Sequence, residues 1–251
     1  MQFRRLVPLL ASCLLLAACS GAVRWSEPAR PPTTTKPRPA VPNAPGARAA
    51  THIVQAGDTL YAIAFRYGLD VQSLAAWNGL GDGSLIRVGQ RLRLSPPGQP
   101  AASGSGPVAG APRTAPPAAG IAPPRWQWPV AGPLVARFGD APLTASGVQL
   151  GGQVGAAVHA AAGGVVVYAG NGLPGYGELL IIKHNANWLS AYGYNQALLV
   201  REGDRVQAGQ TIARMGEGPS AVTRDRRALL HFEIRRNGAP VDPLEQLPPR
   251  P

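Results

Sequence analysis

Alternating apolar and polar side chains near the C-terminus predict a β-strand over residues 229–235. Side chains on a strand point alternately to its two faces, and the core-facing set comprises Leu230, Phe232 and Ile234. The opposite face, which we expect to be half-exposed, carries Leu229, His231 and Glu233. This strand therefore combines a packing surface with a candidate site.

A different pattern over residues 51–94 predicts a small βααβ unit. A short strand at 52–54 precedes an amphipathic helix whose apolar positions are Leu60, Ile63, Ala64 and Tyr67. Gly68 is placed to end that helix, and Asp70 is placed to cap a second one. A strand over residues 88–94 completes the unit.

From residue 125 onward, short apolar runs are separated by glycine-rich turns. The runs lie at 163–168, 179–184, 189–192, 198–200 and 209–213. Many short strands without a long helical pattern are typical of an antiparallel sheet. The predicted fold class is therefore multidomain, with a small α+β (βααβ) module at 51–95 and a mainly antiparallel β domain at 125–251.

Two Pro-rich segments flank the predicted module: residues 19–50 consist largely of Pro, Thr, Ala and Arg, and residues 96–124 largely of Pro, Gly, Ala and Ser. Both contain few side chains that a core could bury, so we expect disordered tethers. A flexible chain of about thirty residues has a mean reach of roughly 30 Å. The folded parts are therefore expected to stand away from the point of attachment.

The N-terminus has the parts of an export signal over residues 1–18, with Arg4 and Arg5 followed by an apolar stretch. That stretch is shorter than the roughly 20 residues of a membrane-spanning helix. The order Leu-Ala-Ala-Cys resembles a bacterial lipobox, which implies cleavage before Cys19 and its acylation. Because Ser20 follows rather than Asp, the lipid anchor is expected in the outer membrane, facing the periplasm. The alternative is an ordinary secretory signal cleaved nearby.

The chain carries a formal net charge of +11. A field of this sign suits nucleic acid, anionic lipid or an acidic wall polymer. No nucleic-acid-binding motif accompanies the charge, and export argues against one, so we expect no nucleic acid partner. Arg224, Arg226 and Arg227 form a basic rim, which is either a solvated loop or an anchor for an acidic partner surface.

The segment 229–233 resembles the His-Leu-His-Phe-Glu motif of the lysostaphin-like (LytM) metallopeptidases, in which the first His is a catalytic base and the second binds zinc. In this chain the base position is Leu229, and His231 remains. The upstream ligand pair of that family reads Ala145 and Gln149 here, and Tyr194 stands at a further catalytic His position. A catalytic zinc site requires about three protein ligands, so we expect no metal, no other cofactor and no catalytic residue.

Residues 51–94 resemble a LysM module, with its Val-x-x-Gly-Asp-Thr-Leu entry and the Trp-Asn pair after the second helix. The resemblance implies binding of N-acetylglucosamine-containing glycans such as peptidoglycan. The glycan contacts are then expected at Gly57, Asp58, Thr59, Leu60 and Ile86. For Asp58 and Thr59, a role limited to helix capping is an equal alternative.

Lipobox, tether, LysM-like module and degenerate LytM-like domain together resemble the NlpD/EnvC-type activators of cell-wall amidases. This implies a non-catalytic protein that activates an N-acetylmuramoyl-L-alanine amidase, a zinc enzyme, during septal peptidoglycan splitting and daughter-cell separation. The partner-binding groove is expected at Gln149, Tyr176, Tyr194, Leu229 and His231. Enrichment at the division site follows from the same resemblance.

Three other functions remain open from the sequence. The first is an envelope lipoprotein that anchors the outer membrane to peptidoglycan without an amidase partner. The second is an active endopeptidase, against which the missing ligands argue. The third is a biotinyl-type carrier, against which the position of Lys183 in a predicted strand argues.

Overall fold

The computed structural model describes residues 51–81, 85–97 and 121–250. These residues belong to one compact unit of the chain, Gly46–Pro251. The predicted signal peptide, Cys19, the first tether and most of the second lie outside them. Within the described ranges, neither α-helix is long and apolar enough to span a bilayer.

The N-terminal module, residues 51–97, has the predicted βααβ order. Its elements are β1 (Thr51–Ile53), α1 (Leu60–Tyr67), α2 (Val71–Trp77) and β2 (Arg91–Arg93), and the two strands pair antiparallel. Gly68 ends α1 with a left-handed backbone, and the Asp70 side chain caps α2 by accepting from the Ser73 amide. The final strand is shorter than predicted because Gly89, at φ 84°, forms a turn just before it.

The β domain, residues 121–250, contains an antiparallel sheet of eleven strands and two short 3-10 helices at Pro142–Thr144 and Pro243–Glu245. The strands are β3 (Leu134–Ala136), β4 (Val148–Gly151), β5 (Ala157–His159), β6 (Gly164–Gly170), β7 (Glu178–Lys183), β8 (Trp188–Leu198), β9 (Arg205–Val206), β10 (Thr211–Met215), β11 (Glu217–Pro219), β12 (Arg226–Arg236) and β13 (Ala239–Val241). Seven of them follow the order β3-β4-β12-β8-β7-β6-β9. Strand β10 pairs with β5 and β8, while β11 and β13 pair with β12.

Both faces of this sheet are covered, as the alternation along β7 shows. Leu180 and Ile182 belong to the main core of the β domain. Leu179 and Ile181 point the other way and pack in a second core, which also contains Ala62 of α1. The N-terminal module therefore supplies part of the cover for the second face.

The strand predicted over 229–235 is confirmed and lies within β12, near the centre of the sheet between β4 and β8. The expectation that one of its faces is half-exposed is wrong, since His231 is 3% and Glu233 0% exposed. That face is covered because the Tyr176 loop, the β11–β12 hairpin and α1 all contact it or its neighbours. The candidate site is consequently an interior cluster.

Candidate functional site

The candidate cleft is centred on His231 in β12. Its neighbours across the sheet are Gln149 on β4 and Gly193 on β8. The ring of Tyr176 lies 5.7 Å from the imidazole ring on one side, and the ring of Tyr194 lies 5.7 Å from it on another. The structure therefore brings four of the five predicted groove residues into direct contact.

Leu229, the fifth predicted groove residue, lies two positions earlier on the same face of β12. It is fully buried opposite Gly151 of β4, and its amide donates to the Gly216 carbonyl oxygen at 3.3 Å. A charged side chain at this position would be buried away from solvent, so such a substitution would report on the stability of the domain.

Gln149, predicted from the sequence to take the place of a metal ligand, forms hydrogen bonds with the β11–β12 hairpin. Its Nε2 donates to the Pro219 carbonyl oxygen at 2.9 Å, and its Oε1 accepts from the Ala221 amide at 2.8 Å. Both polar atoms of this buried side chain are thus engaged with the β11–β12 hairpin. Gln149 therefore holds the hairpin in position over the cleft.

Tyr194 closes the cleft from the β8 side. It is a non-glycine residue in the left-handed region, at φ 65°, which costs of order 1–3 kcal/mol and persists only where the surroundings fix it. Its amide donates to the Tyr176 carbonyl oxygen at 2.7 Å, and its ring lies where a Cβ on Gly218 would clash with it. Burial and the charge of Glu233 raise the pKa of Tyr194, so the hydroxyl is neutral.

Beneath the cleft, Glu233 accepts four hydrogen bonds. Its Oε1 accepts from the hydroxyls of Ser146 at 2.6 Å and Tyr176 at 2.8 Å and from Nε2 of His231 at 3.0 Å. Its Oε2 accepts from Nε of Arg235 at 2.8 Å. The carboxylate is fully buried and all its partners are donors, which is the arrangement that a buried charge requires.

The protonation states follow from this network. Burial alone raises the pKa of Glu233, but the Arg235 guanidinium and the His231 imidazole outweigh burial and lower it to about 2. Because the carboxylate can only accept, Nε2 of His231 carries its proton. Nδ1 of His231 is buried and has no hydrogen-bond partner among the described residues, so one nitrogen of this imidazole is left unpaired in the cleft.

The donor set does not fit a catalytic zinc ion, which takes about three protein ligands and a water. Of the side chains described in the cleft, only His231 supplies an imidazole, and Gln149 uses both of its polar atoms in hydrogen bonds to the hairpin. In the parts of the chain that the structure describes, no three His, Cys, Asp or Glu side chains are grouped to hold a metal ion.

Two of the predicted glycan-binding side chains have structural roles in the N-terminal module. Asp58 pairs with His52 at 2.8 Å and accepts from the Gln55 amide at 2.8 Å. Thr59 caps α1 by accepting from the Ala62 amide at 3.1 Å. The capping alternative is thus observed for Thr59, while glycan contact by either residue remains a prediction.

The other predicted glycan contacts are unequal in exposure. Gly57 is exposed, Ile86 is half-buried and Leu60 lies in the core of the module. Near them is an open depression of about 430 Å³, lined by Leu80, Leu85, Arg87 and Gln90. The sequence offered one signal for this depression, an exposed apolar Leu85 beside a polar loop.

Sequence reasoning missed the Glu233–Arg235 pair. The signal was present, since two charged residues alternate with core positions in an otherwise apolar strand. Such residues are almost never fully buried unless they are paired. Their spacing of two places both on one face of β12, where the pair forms.

Two protein-family models match the chain, the LysM domain over residues 52–95 and Peptidase family M23 over residues 144–243. The lipoprotein NlpD/LppB homolog of Pseudomonas aeruginosa is 42% identical, over 95% of this chain and 90% of its own length. The uncharacterized lipoprotein YgeR of Escherichia coli is 34% identical, over 98% of this chain and 93% of its own length. The murein hydrolase activator NlpD of Escherichia coli is 49% identical, over 50% of this chain and 32% of its own length. The chain therefore belongs to the NlpD/LppB family of lipoproteins, with a LysM domain followed by a domain of Peptidase family M23.

Proposed function

We propose that this protein is a non-catalytic activator of periplasmic cell-wall amidases, acting in septal peptidoglycan splitting and daughter-cell separation. The proposal is supported by a Peptidase family M23 domain in which, by the sequence resemblance, Ala145, Gln149, Tyr194 and Leu229 take the places of metal-binding and catalytic side chains. One relative of this chain bears the name murein hydrolase activator. The partner is an N-acetylmuramoyl-L-alanine amidase.

The surface around the cleft supports a protein partner. Val222, at the tip of the β11–β12 hairpin, is 66% exposed. Arg224, Arg226 and Arg227 are exposed around it. An apolar centre with a charged rim is a typical arrangement for a protein interface, and the positive rim suits an acidic segment of the partner.

Activation requires differential binding. The cleft must hold the active conformation of the amidase more tightly than its resting conformation, because equal affinity for both shifts no population. A partner that enters further displaces the hairpin held by Gln149 and reaches the unpaired Nδ1 of His231. The hairpin and this nitrogen are thus the features that a productive partner engages.

The remaining segments of the chain determine where this surface is located in the cell envelope. In our proposal Cys19 carries the outer-membrane lipid anchor, residues 19–50 and 96–124 are the tethers, and the N-terminal module binds peptidoglycan. The protein acts from the periplasmic face of the outer membrane and is enriched at the division site.

The test is dye release from labelled peptidoglycan by a purified cell-wall amidase, with and without this protein lacking its lipid anchor. We expect no release by the protein alone, in the presence of added zinc, and a clear stimulation of the amidase. Val222→Asp should abolish the stimulation, while Leu199→Asp, at a second exposed apolar position in the turn after β8, should retain it. Absence of stimulation by the unmodified protein would favour the envelope-anchor function instead, and release by the protein alone would favour an endopeptidase.

A further inference from the structure

Helix α1 carries two apolar side chains that do not pack in the core of its own module. The core of the N-terminal module contains Leu60, Ile63 and Ala64 of this helix. Ala62 and Phe65 are also buried, at 3% and 2% exposure, but they pack in the second core of the β domain. Their neighbours there are Val167, Tyr168, Leu173, Leu179, Ile181 and Ala191.

Polar contacts join the same two surfaces. Nη1 of Arg235 donates to the Phe65 carbonyl oxygen at 2.7 Å, and its guanidinium lies 3.5 Å from the centre of the Phe65 ring. Arg66 donates to the Gly172 carbonyl oxygen at 3.2 Å. The Phe65 carbonyl oxygen also accepts from the Gly68 amide at 3.2 Å, so Arg235 adds a second donor, from the β domain, to this carbonyl in the last turn of α1.

The backbone fit is equally close at Gly238, in the turn between β12 and β13. A Cβ at this position would clash with the backbone of Leu69 and Asp70 between the two helices. Gly238 therefore permits the module to approach the turn. Apolar, polar and backbone contacts all indicate a built interface between the module and the β domain.

This interface leads directly to the cleft. The Phe65 ring lies 5.5 Å from the Tyr176 ring, and Tyr176 in turn contacts His231 and donates to Glu233. Arg235 binds the module on one side and Glu233 on the other. Two paths thus connect Phe65 of α1 to Glu233 beneath the cleft, one through the Tyr176 ring and one through Arg235.

We propose that the N-terminal module is a docked positioning partner of the cleft, so that the module and the β domain unfold as one cooperative unit. Docking of α1 holds Tyr176 and the Glu233–Arg235 pair in place. Because coupling between two sites is reciprocal, an undocked module leaves the cleft wall free to move. The role of the cleft as a partner-binding site rests on the proposed function, whereas docking of the module on the β domain does not.

The test compares Ala62→Glu with Ala76→Glu, the same change at an exposed position of α2. Ala62→Glu should split the single calorimetric transition into two and speed amide exchange at residues 172–178 by roughly tenfold. Ala76→Glu should do neither, and both variants should still bind insoluble peptidoglycan. A single transition with unchanged exchange in Ala62→Glu would overturn the proposal.

A second pair of variants probes the interface from the β domain, where no change can damage the module itself. Gly238→Ala should give the same split transition, while Gly203→Ala, which has a similar positive φ but open space around it, should only lower the midpoint. Equal behaviour of these two variants would also overturn the proposal. Neither measurement involves an amidase, so loss of docking and failure of the proposed function are separate outcomes.

Discussion

Replacing Arg235 with methionine removes the cation of a buried ion pair and keeps most of the apolar stem. The two side chains of the pair are 6% and 0% exposed, so solvent screens the interaction little. Leaving a buried charge without its partner costs about 3–5 kcal/mol. We therefore expect Arg235→Met to lower the free energy of unfolding by about that amount at neutral pH.

The pH dependence of this loss is the sharper part of the prediction. With Arg235 present, the pKa of Glu233 is about 2 in the folded state, below its ordinary value of about 4.3. This pair therefore stabilises the fold above about pH 4.3, and the stabilisation is lost as the pH falls towards 2. Without Arg235, burial raises the pKa of Glu233 in the folded state, so the deficit of the variant should narrow as the pH falls from that raised pKa towards 2.

Urea denaturation at several pH values measures both effects. Arg236→Met is the matched control, because Arg236 is the next residue, is exposed and forms no ion pair with any residue that the structure describes; its cost should stay within about 1 kcal/mol. The double variant Glu233→Gln, Arg235→Met should recover part of the loss because it leaves no buried charge. A loss in Arg235→Met no larger than in the control, or a deficit independent of pH, would refute the reasoning.

Two further predictions concern other buried groups. Burial lowers the pKa of His184 to about 4, so stability should decline as the pH falls from about 6.5 to 4. His184→Gln should weaken that decline in thermal midpoints, and an unchanged slope would contradict it. Gln149→Ala should deprive the Pro219 carbonyl and the Ala221 amide of their partner, cost about 1–3 kcal/mol and speed exchange at Ala221. Exchange as slow as in the unmodified protein would show that the hairpin is held by other contacts.

The features predictable from sequence are those that local rules determine. Gly68 and Asp70 mark helix ends because only nearby backbone groups are involved. The alternation over 229–235 predicts β12 for the same reason. The prediction that Ala145 and Gln149 replace metal-binding side chains also rests on residue identity alone, since it needs no coordinates.

The features that sequence did not reveal depend on distant segments. Burial of His231 and Glu233 follows from cover by α1 and by two loops, and α1 is about 170 residues earlier in the chain than Arg235. The hydrogen bonds of Gln149 to the hairpin depend on the register of β4 beside β12. Periodicity indicates which side chains share a face, but it carries no information about what packs on that face.

The position of β12 in the sequence affects how the chain folds during synthesis. This strand is encoded near the C-terminus, yet it pairs with both β4 and β8 inside the sheet. Until β12 has been synthesised, β4 and β8 each present an unpaired edge, which is prone to association with other chains. Synthesis and transport that proceed from the N-terminus therefore leave an aggregation-prone intermediate until roughly the last tenth of the polypeptide is available. A chain truncated before residue 226 should aggregate rather than persist as a smaller stable domain.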